Sequence, residues 1–268
     1  MEAEPSPPKL YDQVENAIDR RFTSAMLALL IQEPLAKIAL GQSESLAVEH
    51  PLGFISLYLE MDGNRSVVLH EWAEKPPAWA PNYIGEIHQH SWELQSVVLW
   101  NEIEDQLVAV EFERDADQSI HGRRRHYPLR VFDAQSKGAV DEILLTELQA
   151  AVVGFYPRRK LGPGDSYSIR KGTFHQSLLS RAAITLVLAD NDPGATNYSL
   201  GSLASYKAGL PGTFLFLPGR GDPVPRKRYS RAETMAVALR VMKRLGLELP
   251  ESPEVRQLLR DMPGAKLL

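Results

Sequence analysis

The sequence predicts a mainly β protein, a rolled-up or sandwiched sheet with helical segments at both ends. Three observations predict it. Between about Ser45 and Phe216, short runs rich in Val, Ile, Leu and aromatics alternate with turn signals. Apolar residues recur at three- and four-residue steps only near the two termini. The 268 residues are 44% hydrophobic, enough for one sizeable core with some decoration.

From about Lys9 to Leu40 the spacing of Tyr11, Val14, Ile18, Phe22, Met26 and Leu29 predicts amphipathic helix. Pro34 interrupts that pattern, so two helices, or one with a break, are expected there. The β zone opens with the run Gly53–Met61, a turn at Asp62-Gly63-Asn64 and the run Ser66–Trp72, together a hairpin signal. Further strand candidates are Leu94–Trp100, Gln106–Arg114, His126–Ala134, Ala150–Arg158, Asp165–Lys171, Ile184–Asp190 and Thr213–Pro218. The charged stretch Arg114–His126 reads as a solvated hairpin tip. From about Ser230 to Leu259 helix returns. Ser230 is placed to cap a run whose face carries Met235, Leu239, Met242 and Leu245. Gly246 and Pro250 close it, and a short helix follows Ser252-Pro253. The expected division is a helical arm over 1–44, a β-barrel over 45–217 and a helical segment over 218–268.

Composition excludes several function classes. The 30 Lys and Arg against 34 Asp and Glu give a net charge of -4, so nothing asks for a nucleic-acid or membrane partner. With no cysteine, disulfides, thiolate metal sites and cysteine nucleophiles are ruled out. The acidic, proline-rich start reads as no secretory signal, and the apolar run Ala25–Ile31 is too short to span a bilayer. A cytoplasmic protein is expected.

Two segments carry the chemistry. In Gly85–Gln95, His88 and His90 stand two apart, so on a strand both imidazoles address one face and can share one metal. The same pair is also compatible with a half-exposed strand. In Gly164–His175, a turn at Gly164-Asp165, a short alternating strand through Tyr167 and Ile169, and a turn at Lys171-Gly172 lead to His175. Together the segments resemble the paired motifs of the cupin superfamily. Its first motif carries His-x-His after a glycine, with an acid four or five residues on. Its second has glycines and a histidine spaced as Gly164, Gly172 and His175 are here. Arg170 stands where proline is usual, and Gly85 sits closer to His88 than usual.

The resemblance implies a jelly-roll barrel with His88, His90 and His175 as metal ligands. The acid is missing: its positions hold Leu94 and Gln95, with Glu93 nearby. Spacing favours Gln95 as a weak fourth ligand or hydrogen-bonding neighbour, and Glu93 stays open beside it. Three neutral imidazoles then narrow the resemblance to the cysteine dioxygenase-like thiol dioxygenases, which hold ferrous iron on three histidines. Fe(2+) is the expected cofactor, with Zn(2+) or Ni(2+) as alternatives, because imidazole suits all of them. Without a carboxylate ligand the ion keeps its full charge. That favours an anionic small-molecule substrate, with O2 as co-substrate.

Around the ligands, Gln95 and Tyr167 are the candidate catalytic neighbours, Tyr167 either donating a hydrogen bond or packing in the core. Arg170 is a candidate for a substrate carboxylate or a solvated turn residue. Tyr83, Trp92 and Trp100 are candidate substrate contacts, the two tryptophans equally readable as barrel packing. The long interval from His90 to His175 implies an inserted hairpin or lid around Glu113–Glu142. The leading reading is an iron dioxygenase of a small metabolite. The alternatives are a zinc or nickel isomerase or hydrolase and a non-catalytic binding module. A homodimer through the helical ends accompanies the resemblance.

Overall fold

The computed structural model describes residues 8–50, 53–73, 87–113, 129–137, 140–178, 182–190, 197–201, 221–225 and 227–261. Two antiparallel sheets dominate them. The first has the order β1-β2-β3-β11-β4-β9, from β1 (Ala47–Glu49), β2 (Phe54–Asp62), β3 (Arg65–Trp72), β11 (Ala183–Asp190), β4 (Glu93–Trp100) and β9 (Ser166–Ile169). The second has the order β10-β5-β7-β6-β12, from β10 (His175–Leu178), β5 (Ile103–Glu113), β7 (Val140–Phe155), β6 (Leu129–Lys137) and β12 (Tyr198–Gly201). β8 (Arg159–Leu161) also pairs β5, and β13 (Gly221–Pro225) pairs β7. The sheet therefore continues past residue 217. The expected hairpin forms with Asp62 opposite Arg65, and Gly63 supplies the positive φ of 58° that its two-residue turn requires.

Strand alternation gives the first sheet two different faces. Leu57, Leu69, Val97, Leu99, Ile184, Leu186 and Leu188 face the helices. Phe54, Trp72, Leu94, Val98, Tyr167, Ile169 and Val187 form a separate cluster on the other side, joined by Ile103 of the second sheet. The helix-side core is closed by Val14, Leu27, Ile31 and Leu35 from the N-terminal helices and Val237, Val241 and Met242 from the C-terminal one. Burying each such aliphatic side chain contributes about 1.5–3 kcal/mol.

Among the described residues three helices, rather than two, precede β1: α1 (Leu10–Asp19), α2 (Ser24–Leu30) and α3 (Gln32–Ala39). Pro34 does not break the arm. It sits in the first turn of α3, where its missing N–H has no helical acceptor to lose. The chain turns instead at Arg21, with φ 57°, before Thr23 caps α2, and again at Ile31. After the strands, α4 (Arg231–Arg244) begins in a capping box between Ser230 and Glu233, and α5 (Pro253–Asp261) follows. No helix among the described residues is long and apolar enough to cross a membrane.

The region expected as an insertion forms sheet in its described part, since β6 and the start of β7 pair with each other. The Arg114–His126 stretch, the Thr213–Pro218 run and Tyr83 lie outside the described residues.

Candidate metal centre

Residues 87–90 run extended between two strands of the second sheet. The His88 N–H donates to the His175 carbonyl at 3.0 Å and the His175 N–H donates back to that of His88 at 2.9 Å. On the other side the Gln89 N–H donates to the Tyr198 carbonyl, and the Leu200 N–H to that of Ile87, both at 2.9 Å. The turn before β10 is tied in as well, because the Gly172 N–H donates to the His90 carbonyl at 2.9 Å. Gly172 has φ 76°, a conformation that only glycine adopts without strain. Backbone pairing thus fixes both histidine segments against each other before any side chain is considered.

The side chains converge. One potential ligand nitrogen from each of His88, His90 and His175 lies within 4.8 Å of the others. Ring centroids are 4.3 Å apart for His88 and His175, 4.9 Å for His88 and His90, and 5.0 Å for His90 and His175. His175 is buried and His88 is 9% exposed. The Nδ1 of His175 lies 3.4 Å from the Thr173 carbonyl, and the tautomer that donates there leaves Nε2 as the ligand atom. Burial holds His90 well below its ordinary value of 6.5, with the imidazoles of His88, His175, His50 and His70 acting in the same direction. Burial brings His175 down to about 4. Both rings are therefore neutral at neutral pH, the form that binds metal.

The other candidates separate by strand face. Trp92 tilts against His90 with centroids 4.3 Å apart. Tyr167 is buried on the same inner side of the first sheet, and burial pushes its phenol up to about 12. Gln95 and Glu93 share the parity of Val97 and Leu99, whose face packs on the helices, and Gln95 pairs with Leu188 of that helix-side core. Neither shares the inner face, and Glu93 is exposed. Trp100 also packs on the helix-side core, with the Arg244 guanidinium 5.2 Å from its ring centroid. A register shift at Ile184/Thr185 reverses the alternation there and turns Trp100 away from the histidines. Arg170 is exposed at the turn, where its carbonyl accepts from the Thr173 N–H.

The structure adds residues that the motifs did not indicate. Asp105 is buried and sits on the face of β5 that carries Leu107, the partner of His175 across the ladder. Its Oδ2 accepts from Arg159, with Nε at 3.1 Å and a second contact from the same guanidinium. Burial pushes the Asp105 carboxyl above its ordinary value, with Arg159 pulling against it and the charge of His88 acting the same way as Arg159. The spacing Ile103-Asp105-Leu107 could have revealed it: an acid at the centre of an apolar alternation belongs to the buried side. His50 and His70 also lie on the inner side, against Phe54 of its cluster. Phe54 stacks between them, 4.1 Å from His50 and 4.2 Å from His70, with Trp72 at 4.3 Å. Far apart in sequence and outside any motif, they gave no such signal.

No family profile matches this chain, and no curated protein does. Among solved structures, it is similar to hydroquinone 1,2-dioxygenase PnpCD in complex with Cd2+ and 4-hydroxybenzonitrile, at 11% identity and a TM-score of 0.29, over 51% of this chain and 63% of that one. It is similar to the DMSP lyase DddQ from Ruegeria pomeroyi DSS-3, at 18% identity and a TM-score of 0.29, over 54% of this chain and 50% of that one. A structure of the DMSP lyases RdDddP and RnDddQII matches at 14% identity and a TM-score of 0.27, over 54% and 51% of the two chains. The match thus spans about half to two thirds of those chains.

Proposed function

We propose that this chain is a cupin-type metalloenzyme, an iron(II)-dependent dioxygenase of a small metabolite, with the ion held by His88, His90 and His175. One observation carries the reading: three imidazoles from two separate segments present nitrogens within 4.8 Å of one another. The donor set fits a catalytic ion. Three protein ligands leave coordination open, and burial keeps His90 and His175 neutral and ready to ligate. When bound, ferrous iron would supply a redox-active Lewis acid for the oxidation of an anionic substrate by O2.

The chain's own residues supply the rest. Glu93 and Gln95 lie on the outward face of β4, which supports an all-imidazole set with its charge unreduced. That favours an anionic substrate. Trp92 walls the His90 side, and the Tyr167 phenol, kept protonated by burial, is a hydrogen-bond donor on the inner face. Gln95 and Trp100, which leave β4 toward the helices, lie outside this site. The reading includes a jelly-roll arrangement of the two sheets, a cytoplasmic setting, a homodimer through the helices, and no nucleic-acid or membrane partner. A zinc- or nickel-dependent isomerase or hydrolase is the second reading, favoured by the same donor set, since three histidines also make catalytic zinc sites.

Metal analysis of the purified chain, followed by oxygen uptake with a panel of thiols and enolisable acids, tests this. The expected result is one iron per chain, lost in His90→Ala, and substrate-dependent oxygen uptake. Zinc or nickel retained in place of iron, without oxygen uptake, gives the second reading. Failure to retain any of these metals overturns both.

A further inference from the structure

We infer that Asp105 is a substrate-contacting residue, whose Oδ1 accepts a hydrogen bond from a hydroxyl on the molecule bound at the three histidines. This rests on the metal-site reading above. The Asp105 side chain is fully buried, yet only Oδ2 is used by Arg159. Among the described residues, Asp105 Oδ1 is a buried side-chain oxygen without a hydrogen-bond partner. Leaving such an oxygen unpaired costs about 1–3 kcal/mol, so an unused carboxylate oxygen in a folded core points to a partner that arrives later.

Its position says what that partner touches. Asp105 lies across from Ser177, two residues along β10 from His175 and on the same face. Ile103, two residues before Asp105 on the same face of β5, joins the inner cluster that holds Tyr167. On the facing sheet, Ser96 pairs across the ladder with Tyr167, and the Arg159 guanidinium lies 5.7 Å from the Tyr167 ring centroid. The histidines and this polar group therefore share the inner side between the two sheets.

The chemistry of the pair selects the donor. Arg159 already compensates the Asp105 charge, so an ammonium would meet a pair that is neutral overall. A hydroxyl donates one proton to the one free oxygen without adding charge. The substrate class is thus a small anion that carries a hydroxyl beside its metal-binding group.

The test uses the full chain loaded with Co(2+), whose visible absorption reports binding of acetate and of glycolate, which differ by one hydroxyl. The preference for glycolate over acetate is measured in the wild type, in Asp105→Asn, and in Asp105→Leu/Arg159→Met, which replaces the whole pair by apolar groups. The inference expects Co(2+) affinity to hold in the variants and the glycolate preference to fall about tenfold in the double variant, with a smaller fall in Asp105→Asn. An unchanged preference in both variants overturns it. Loss of Co(2+) binding in the variants also overturns it, by making Asp105 a support for the ion instead. A wild type that binds no Co(2+) fails earlier and removes the three-histidine site itself.

Discussion

Glu71 and Asp105 are both buried acids paired with arginine, and they sit on opposite sides of the first sheet's neighbourhood. Glu71 leaves β3 on the helix side. Its Oε1 accepts from Arg240 Nε and from Arg244, each at 2.6 Å, and its Oε2 accepts from the second Arg240 nitrogen at 2.6 Å. Both oxygens are used, and α4 is clamped onto the sheet beside the Trp100–Arg244 contact. Asp105 on the histidine side uses one oxygen and leaves the other. The same residue chemistry reads as architecture where every lone pair is met and as a binding surface where one is not.

The largest effect is expected from Glu71→Ala, which strips two arginines of a shared buried partner. The expected loss is about 2–4 kcal/mol of unfolding free energy in urea titration, discounted because both arginines are partly exposed. Metal content should be unchanged, and a variant that loses metal with little loss of stability would reverse the assignment of the two faces.

A smaller effect concerns the inner aromatic row. Burial lowers His70 from 6.5 to about 3. The unfolded chain takes up that proton below 6.5, and the folded chain resists it until about 3. Stability is therefore intact above 6.5 and is lost progressively as pH falls between those values. His70→Phe should flatten that part of the stability profile, read from urea midpoints at about pH 7 and about pH 4. A slope equal to that of the wild type would show that His70 is not kept neutral by the fold.

The smallest effect expected is from Gln95→Ala. Because its side chain leaves β4 on the face of Val97 and Leu99, metal affinity and oxygen uptake should match the wild type within about twofold. A loss in metal affinity, measured by competition with a chelator, would place Gln95 back among the ligands.

What was legible beforehand follows from range. Local signals read well: the Gly63 hairpin, the Ser230 cap and the two histidine segments all depend on residues a few positions apart. The expectations that moved depended on what lay across the chain. Pro34 looked like a helix break until the first turn of α3 made it harmless. Gln95 matched a motif position by count, while the direction of its strand face came from the register with β11. Trp100 was turned by a bulge that no local pattern announces. Asp105 was partly legible from its alternation, but its single use by Arg159 was not.

Composition and short-range spacing already carried the β texture, the absence of thiol chemistry, and the two short segments whose glycines and histidines specify where tight turns and imidazoles fall. Those properties are local, because turn conformation and strand alternation act over two to five residues. That His175 lies beside His88, which face of each strand is inside, and which buried acid keeps an oxygen in reserve came from the folded chain. Those are consequences of register and packing between strands many residues apart, and a one-residue slip in any ladder would exchange one face for the other.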